Sequence, residues 1–241
     1  MQLIFDFPIN AKFGFDNFVV CAGNKTAYHF ARQLAEGDGT ENLLYLYGDK
    51  GSGKTHLLTA IANSIGAQSG LAALPALSFK DIDKIYQGHY PAEELSRLAE
   101  QFRNSPALIM DDIHLIPDND NVRVEVWQLF NDFYGAGKKI AISGLYPPKE
   151  LPNLDGHLTS RLLWGLVAKL DISGDDSLRM ILQKLAEDRQ IVVPEEVIAY
   201  LLAHLQRDIP TLINALQQIH RHALATKKKI SLRQAKEATG G

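Results

Sequence analysis

The stretch Gly48-Asp49-Lys50-Gly51-Ser52-Gly53-Lys54-Thr55 limits the fold more than any other part of the chain, because it fits G-x-x-x-x-G-K-[ST]. Such a loop works only where a strand delivers it and a helix leaves it. Both patterns are present: residues 43–47 form an apolar run of strand length, and a helix-compatible run of residues 56–65 opens at His56. A glycine-rich turn can match the motif by chance, but chance does not also supply this context. The expected chemistry is phosphate binding. Gly48, Gly51 and Gly53 let the backbone curl, and the N–H groups of the loop, Ser52 among them, face the anion with the helix dipole behind them. Lys54 neutralises β/γ charge, and the Thr55 hydroxyl ligates Mg²⁺.

A loop of this kind needs an apolar strand ending in acid, and Ala107-Leu108-Ile109-Met110-Asp111-Asp112 supplies one. Asp111 is expected to hold Mg²⁺ through water and Asp112 to orient an attacking water. The rival role for Asp112 is to cap the turn after the strand. Burying unpaired carboxylates at a strand end is costly, which favours the site over the cap.

Apolar runs of strand length recur at 43–47, 107–110, 140–142 and 166–170, separated by segments long enough for helices. Short, nearly unbroken apolar strands alternating with helices predict an α/β fold with a parallel sheet covered on both faces. After Leu170 the character changes. Asp175-Asp176-Ser177 can cap a helix, and Pro194-Glu195-Glu196 and Asp208-Ile209-Pro210 each read as a helical first turn. In the third of these helices Leu212, Ala215, Leu216 and Ile219 form one apolar stripe. The expected organisation is a tail over 1–12, a nucleotide-binding α/β domain over 13–172 and an all-helical lid over 173–241.

Composition excludes several classes. The 25 Lys+Arg against 28 Asp+Glu give a net charge of −3, which argues against a large DNA-binding surface. Lys227-Lys228-Lys229 reads as a solvated loop between helices. The single cysteine, Cys21, can form neither an internal disulfide nor a structural zinc site, so it is expected to pack, in a reducing cytosol. No run reaches the about 18 apolar residues of a membrane span, and the N-terminus lacks the pattern of a signal peptide, so a soluble, cytoplasmic protein is expected.

With both phosphate-site motifs placed, the chain resembles the AAA+ ATPases and, more narrowly, the nucleotide-binding module of the bacterial initiator DnaA. Phe15-Asp16-Asn17-Phe18-Val19-Val20 with Asn24 is similar to the segment that wraps the adenine there, which implies contacts from Val19 and Val20. Asp111-Asp112-Ile113 is similar to the acidic strand end. Pro147-Pro148-Lys149-Glu150-Leu151, and Ser160-Arg161-Leu162 with Trp164-Gly165-Leu166, are similar to its sensor and arginine-finger regions. The resemblance implies a five-stranded parallel sheet with a helical lid, bound ADP or ATP with Mg²⁺, Ser143 as a polar sensor, and Arg161 reaching the γ-phosphate of a neighbouring subunit. Three positions depart from the family: Pro210 stands where a lid arginine is usual, Leu145 where an acid is usual, and His157 where a second arginine is frequent. Weak turnover of its own ATP is therefore implied.

Gln2-Leu3-Ile4-Phe5-Asp6-Phe7 resembles the sliding-clamp-binding motif of bacterial replication proteins. Gln2 would enter a polar notch while Leu3, Phe5 and Phe7 fill an apolar groove. An apolar strand folded on its own core is the rival. A DnaA-like ATPase with such a tail and without a helix-turn-helix after the lid is similar to the Hda-type regulators. That likeness implies DnaA and the sliding clamp of DNA polymerase III as partners, DNA contacted only through the clamp, self-association left open, and hydrolysis of DnaA-bound ATP promoted in trans by Arg161. Two other readings compete: a self-contained ATPase acting as initiator or helicase loader on DNA, and an adaptor whose nucleotide site is a relic.

Overall fold

A computed structural model of the chain describes residues 13–71, 74–80, 100, 102–154, 156–188 and 190–240. Contacts divide these residues into two units: 13–18, Lys25–Asp49 and Gly53–Leu170 in the first, and Val19–Asn24, Lys50–Ser52 and 171–240 in the second. The tail residues Gln2, Leu3, Phe5 and Phe7 lie outside the described residues.

The first unit is built on strands β1 (Leu43–Tyr47), β2 (Ala76–Ser78), β3 (Ala107–Asp111), β4 (Lys139–Gly144) and β5 (Leu166–Lys169), all parallel, in the order β2-β3-β4-β1-β5. Successive side chains of a strand point to opposite faces, so each strand feeds two cores. Leu44, Leu46, Ile109 and Ala141 pack with helices α1 (Lys25–Glu36) and α2 (Lys54–Gln68). Leu43, Tyr45, Leu108, Met110, Ile140 and Ile142 pack on the other face with α3 (Asp120–Gly135) and α4 (Gly156–Leu162). Burial on both faces is why these strands read as continuous apolar runs. The five-stranded parallel sheet and its flanking helices are as expected. Strand β2 is the one that residue patterning did not reveal, since it spans only 3 residues and follows Pro75.

Register sets the site. Leu46 pairs with Ser143, Tyr47 with Gly144, and Ser78 with Asp111, so the carboxyl ends of β1, β2, β3 and β4 fall at one edge of the sheet. That edge is where open α/β sheets bind ligands.

The second unit holds helices α5 (Asp175–Asp188), α6 (Glu195–His204), α7 (Ile209–Thr226) and α8 (Leu232–Thr239). Leu212, Ala215, Leu216 and Ile219 are all buried, as their spacing predicts, and Cys21 packs into the same core as Leu212. Asp175 and Asp176 occupy the first turn of α5, whereas Asp208 is a true cap whose carboxylate accepts the Thr211 N–H at 2.9 Å. That backbone bond holds the Asp208 carboxyl below its ordinary range. A depressed folded value means the stabilisation is complete above the unfolded carboxyl's titration and is lost as pH falls through the folded one. Asp208→Ala is expected to cost about 1 kcal/mol at neutral pH, and its melting-temperature deficit should close as pH falls below about 4. A deficit that persists in strong acid would exclude the capping carboxylate as its cause.

Candidate functional site

The phosphate loop leaves β1 and ends at α2, and two of its glycines are required by geometry. Gly51 has φ +84°, and a Cβ there would lie 2.8 Å from the Pro210 ring and 2.9 Å from Ile209. Gly53 has φ +103°, and its Cβ would meet the Phe18 ring at 2.8 Å. A side chain at either position is disfavoured by both backbone and space. Pro210, predicted from sequence to bring no charge, thus packs on the middle of the loop.

Lys54 is buried, and its ammonium donates to the carbonyls of Gly48 at 2.6 Å and Asp49 at 2.8 Å. Burial pulls the ammonium below lysine's ordinary value, with Asp112, Asp111 and Asp49 opposing the shift. Ser52 is 3% exposed, and its hydroxyl has no hydrogen-bond partner among the described residues. An orphaned buried donor in a loop of this geometry fits an anionic phosphate group.

Asp111 ends β3 and receives two hydroxyl bonds. Thr55 Oγ1 donates to its Oδ2 at 2.7 Å, and Ser143 Oγ donates to its Oδ1. Ser143 also accepts the Asp112 backbone N–H at 3.1 Å, so this fully buried serine fixes both acidic residues. Burial pushes the Asp111 carboxyl up, Asp112 adds to the rise, and the Ser143 and Thr55 bonds oppose it. Thr55 and Asp111 therefore offer adjacent oxygens of the hard type that Mg²⁺ takes. Among the described residues no group of three or more His, Cys, Asp or Glu could hold a metal ion.

Asp112 has φ 57° and ψ 43°, a left-handed conformation unusual for a residue with a side chain. It precedes the 3-10 turn Ile113–Leu115 but makes no side-chain cap bond, so the capping alternative does not describe it. Its carboxylate is instead ion-paired with Lys80 and lies 3.9 Å from His114 Nδ1. Burial draws the His114 imidazole below its ordinary value. Neither Lys80 nor His114 carries a motif, and sequence reading passed over both.

The predicted adenine segment divides. Phe13 and Phe18 frame the His56 ring at 4.5 Å and 5.1 Å, and His56 Nε2 faces two acceptors, Gly14 O at 2.9 Å and Asn17 Oδ1 at 3.1 Å. Its proton therefore points at the strap, making His56 an anchor for residues 13–18. Val19 and Val20 belong to the second unit, in a turn pinned by the buried Asn24. That side chain accepts the Cys21 N–H at 2.8 Å and donates to Val19 O at 2.9 Å.

Arg161 lies in the last turn of α4, and its guanidinium is packed against neighbouring side chains. Its Cζ lies 4.5 Å from the Trp127 ring centroid and 5.2 Å from that of Trp164, and Nη1 donates to Asn131 Oδ1. Leu162 beside it is buried, whereas Leu163 and Trp164 are exposed. Trp127 and Asn131, on a helix remote in sequence, carried no signal of their own.

Among the described residues no helix is long and apolar enough to cross a membrane.

Comparison with known proteins gives a consistent result. The model of the bacterial DnaA ATPase domain matches residues 9–169, and that of the Hda lid domain matches residues 175–237. The chain is 32% identical over 231 residues to the chromosomal replication initiator protein DnaA of Caldanaerobacter subterraneus subsp. tengcongensis, covering 95% of this chain and 52% of that protein. It thus spans about half the length of the curated relatives it matches. Domain III of the Thermotoga maritima replication initiation protein DnaA superposes with a TM-score of 0.82 at 29% identity, covering 96% of this chain and 97% of that one. AMPPCP-bound DnaA from Aquifex aeolicus shares the fold, with a TM-score of 0.76 at 23% identity, covering 89% of this chain and 67% of that one.

Proposed function

We propose that this chain, which belongs to the bacterial DnaA ATPase-domain family and is a replication-related AAA+ protein with an Hda lid domain, is a regulator that promotes hydrolysis of DnaA-bound ATP. The observation that carries this reading is the match of the helical unit to the Hda lid. The residues assigned to binding ADP or ATP are Val19, Val20, Gly48, Gly51, Ser52, Gly53, Lys54, Thr55 and His56, with Thr55 and Asp111 assigned to Mg²⁺. Ser143 orders the two acids, and Arg161 acts in trans on the nucleotide of DnaA. Phosphate release from ATP-loaded DnaA, with clamp-loaded DNA and this chain, tests the reading. No stimulation over DnaA alone would end it.

A second reading has one observation in its favour. The assembled set of Lys54, Thr55, Asp111, Asp112 and Ser143 suits hydrolysis of the chain's own ATP. Pro210 packed on Gly51 brings no charge to a γ-phosphate, which supports slow turnover instead. Brisk ATP consumption by the chain alone would favour this second reading.

The tether is assigned to Gln2, Leu3, Phe5 and Phe7. Changing Leu3 and Phe5 together to Ala is expected to abolish binding to the clamp while nucleotide affinity and melting temperature stay unchanged. Side chains of this size buried in the protein's own core would instead cost roughly 1.5 to 3 kcal/mol each. A melting point lowered by several degrees would therefore assign the segment to the fold.

A further inference from the structure

We infer that Trp164, together with Trp127, is a positioning residue for Arg161: the two indole faces hold its guanidinium in the one orientation in which it meets a phosphate. The inference rests on the reading of Arg161 as a group used in trans.

The chain has two tryptophans, and both lie against this one arginine. They reach it from different elements. Trp127 and Asn131 are four residues apart on α3 and therefore share a face, which presents an indole at 4.5 Å and an amide oxygen to Nη1. Trp164 follows α4, where its backbone N–H bonds Arg161 O at 3.0 Å, and this tight turn folds its indole back to 5.2 Å from the guanidinium carbon. The Tyr134 ring also lies against Trp164, its centroid 5.8 Å away.

Burial does not account for this arrangement. Trp164 is 56% exposed and Leu163 is 42% exposed, so the indole leaves much of its apolar surface in water. What it contributes is a ring face, whose partial negative charge attracts a cation. Arginine has a long, flexible stem, and a group that must meet a transition state loses rate when its geometry is spread over many rotamers. Two indole faces and one amide acceptor reduce that spread while leaving the remaining N–H groups of the fork available to phosphate oxygens.

Because the two tryptophans are the only ones in the chain, uniform replacement by ring-fluorinated tryptophan alters this pair alone with little change of shape. The maximal rate of hydrolysis of DnaA-bound ATP should fall stepwise with the number of fluorines, by about tenfold across the series, as the ring faces lose their charge. The concentration giving half-maximal stimulation should stay constant, and the melting temperature should fall by no more than the roughly 2 to 4 °C that loss of the cation–π contact accounts for. Trp164→Leu should lower the maximal rate by about tenfold, while Trp164→Phe, which keeps a ring face, should stay within about threefold of wild type. A flat response to fluorination overturns the inference, as does a higher rate with Trp164→Leu, which would mean that the indoles restrain the arginine. If Trp164→Leu fails to fold, the fluorinated series decides. Arg161→Ala in the same assay separates the two levels. If it stimulates like wild type, the reading of Arg161 fails and this inference with it. If it abolishes stimulation while fluorination has no effect, positioning alone fails.

Discussion

Arg161→Ala is expected to abolish stimulated hydrolysis of DnaA-bound ATP, lowering the rate by about 10³ to 10⁵, the range that an arginine supplied in trans contributes to phosphoryl transfer. The guanidinium stabilises charge that develops on the transferring group, so its loss affects the transition state more than binding. Affinity for nucleotide and clamp should therefore be unchanged. The arginine lies against Trp127 and Trp164 and bonds Asn131, so removing it also loses a cation–π contact of about 1 kcal/mol, which would lower the melting temperature by roughly 2 to 4 °C. Arg161→Lys restores charge but not the planar fork, and little of the rate should return. The measurement is phosphate release from ATP-loaded DnaA on clamp-loaded DNA. Stimulation that survives in the Ala variant would remove Arg161 from the mechanism, and a variant that unfolds would make it a structural residue.

Lys54→Ala should weaken binding of ADP and ATP by about 1.5 to 3 kcal/mol, roughly ten- to a hundredfold or more, because one charge-assisted phosphate contact is lost from a buried position. The side chain also bonds Gly48 O and Asp49 O, so part of the loss will come from a loosened loop. Lys54→Met separates the two effects. It fills the space without charge and should bind nucleotide as weakly as Ala, with a smaller loss of thermal stability. Calorimetry against each nucleotide, with and without Mg²⁺, is the measurement. Unchanged affinity in both variants would mean that the loop does not hold phosphate.

The chain of residues alone was enough to place the phosphate loop, the acid-ended strand and the sheet that carries them, because each is a local pattern. Glycines at fixed spacing before Lys54 and Thr55, and four apolar residues running into Asp111, can each be read within one element. The lid helices were legible for the same reason, since Asp208 and the stripe Leu212, Ala215, Leu216 and Ile219 are a cap and a face. Residue patterning missed β2, whose three residues are too few to show a period. Only tertiary structure decided how distant residues meet. The pairing of β4 between β1 and β3 brings Ser143 of β4 to both Asp111, which ends β3, and Asp112 after it. Packing of α3 on the sheet brings Trp127 and Asn131 to Arg161, and the end of β2 brings Lys80 to Asp112. Such contacts depend on register and on helix rotation, which are fixed by burial over the whole sheet and leave no periodic trace around the residues that touch.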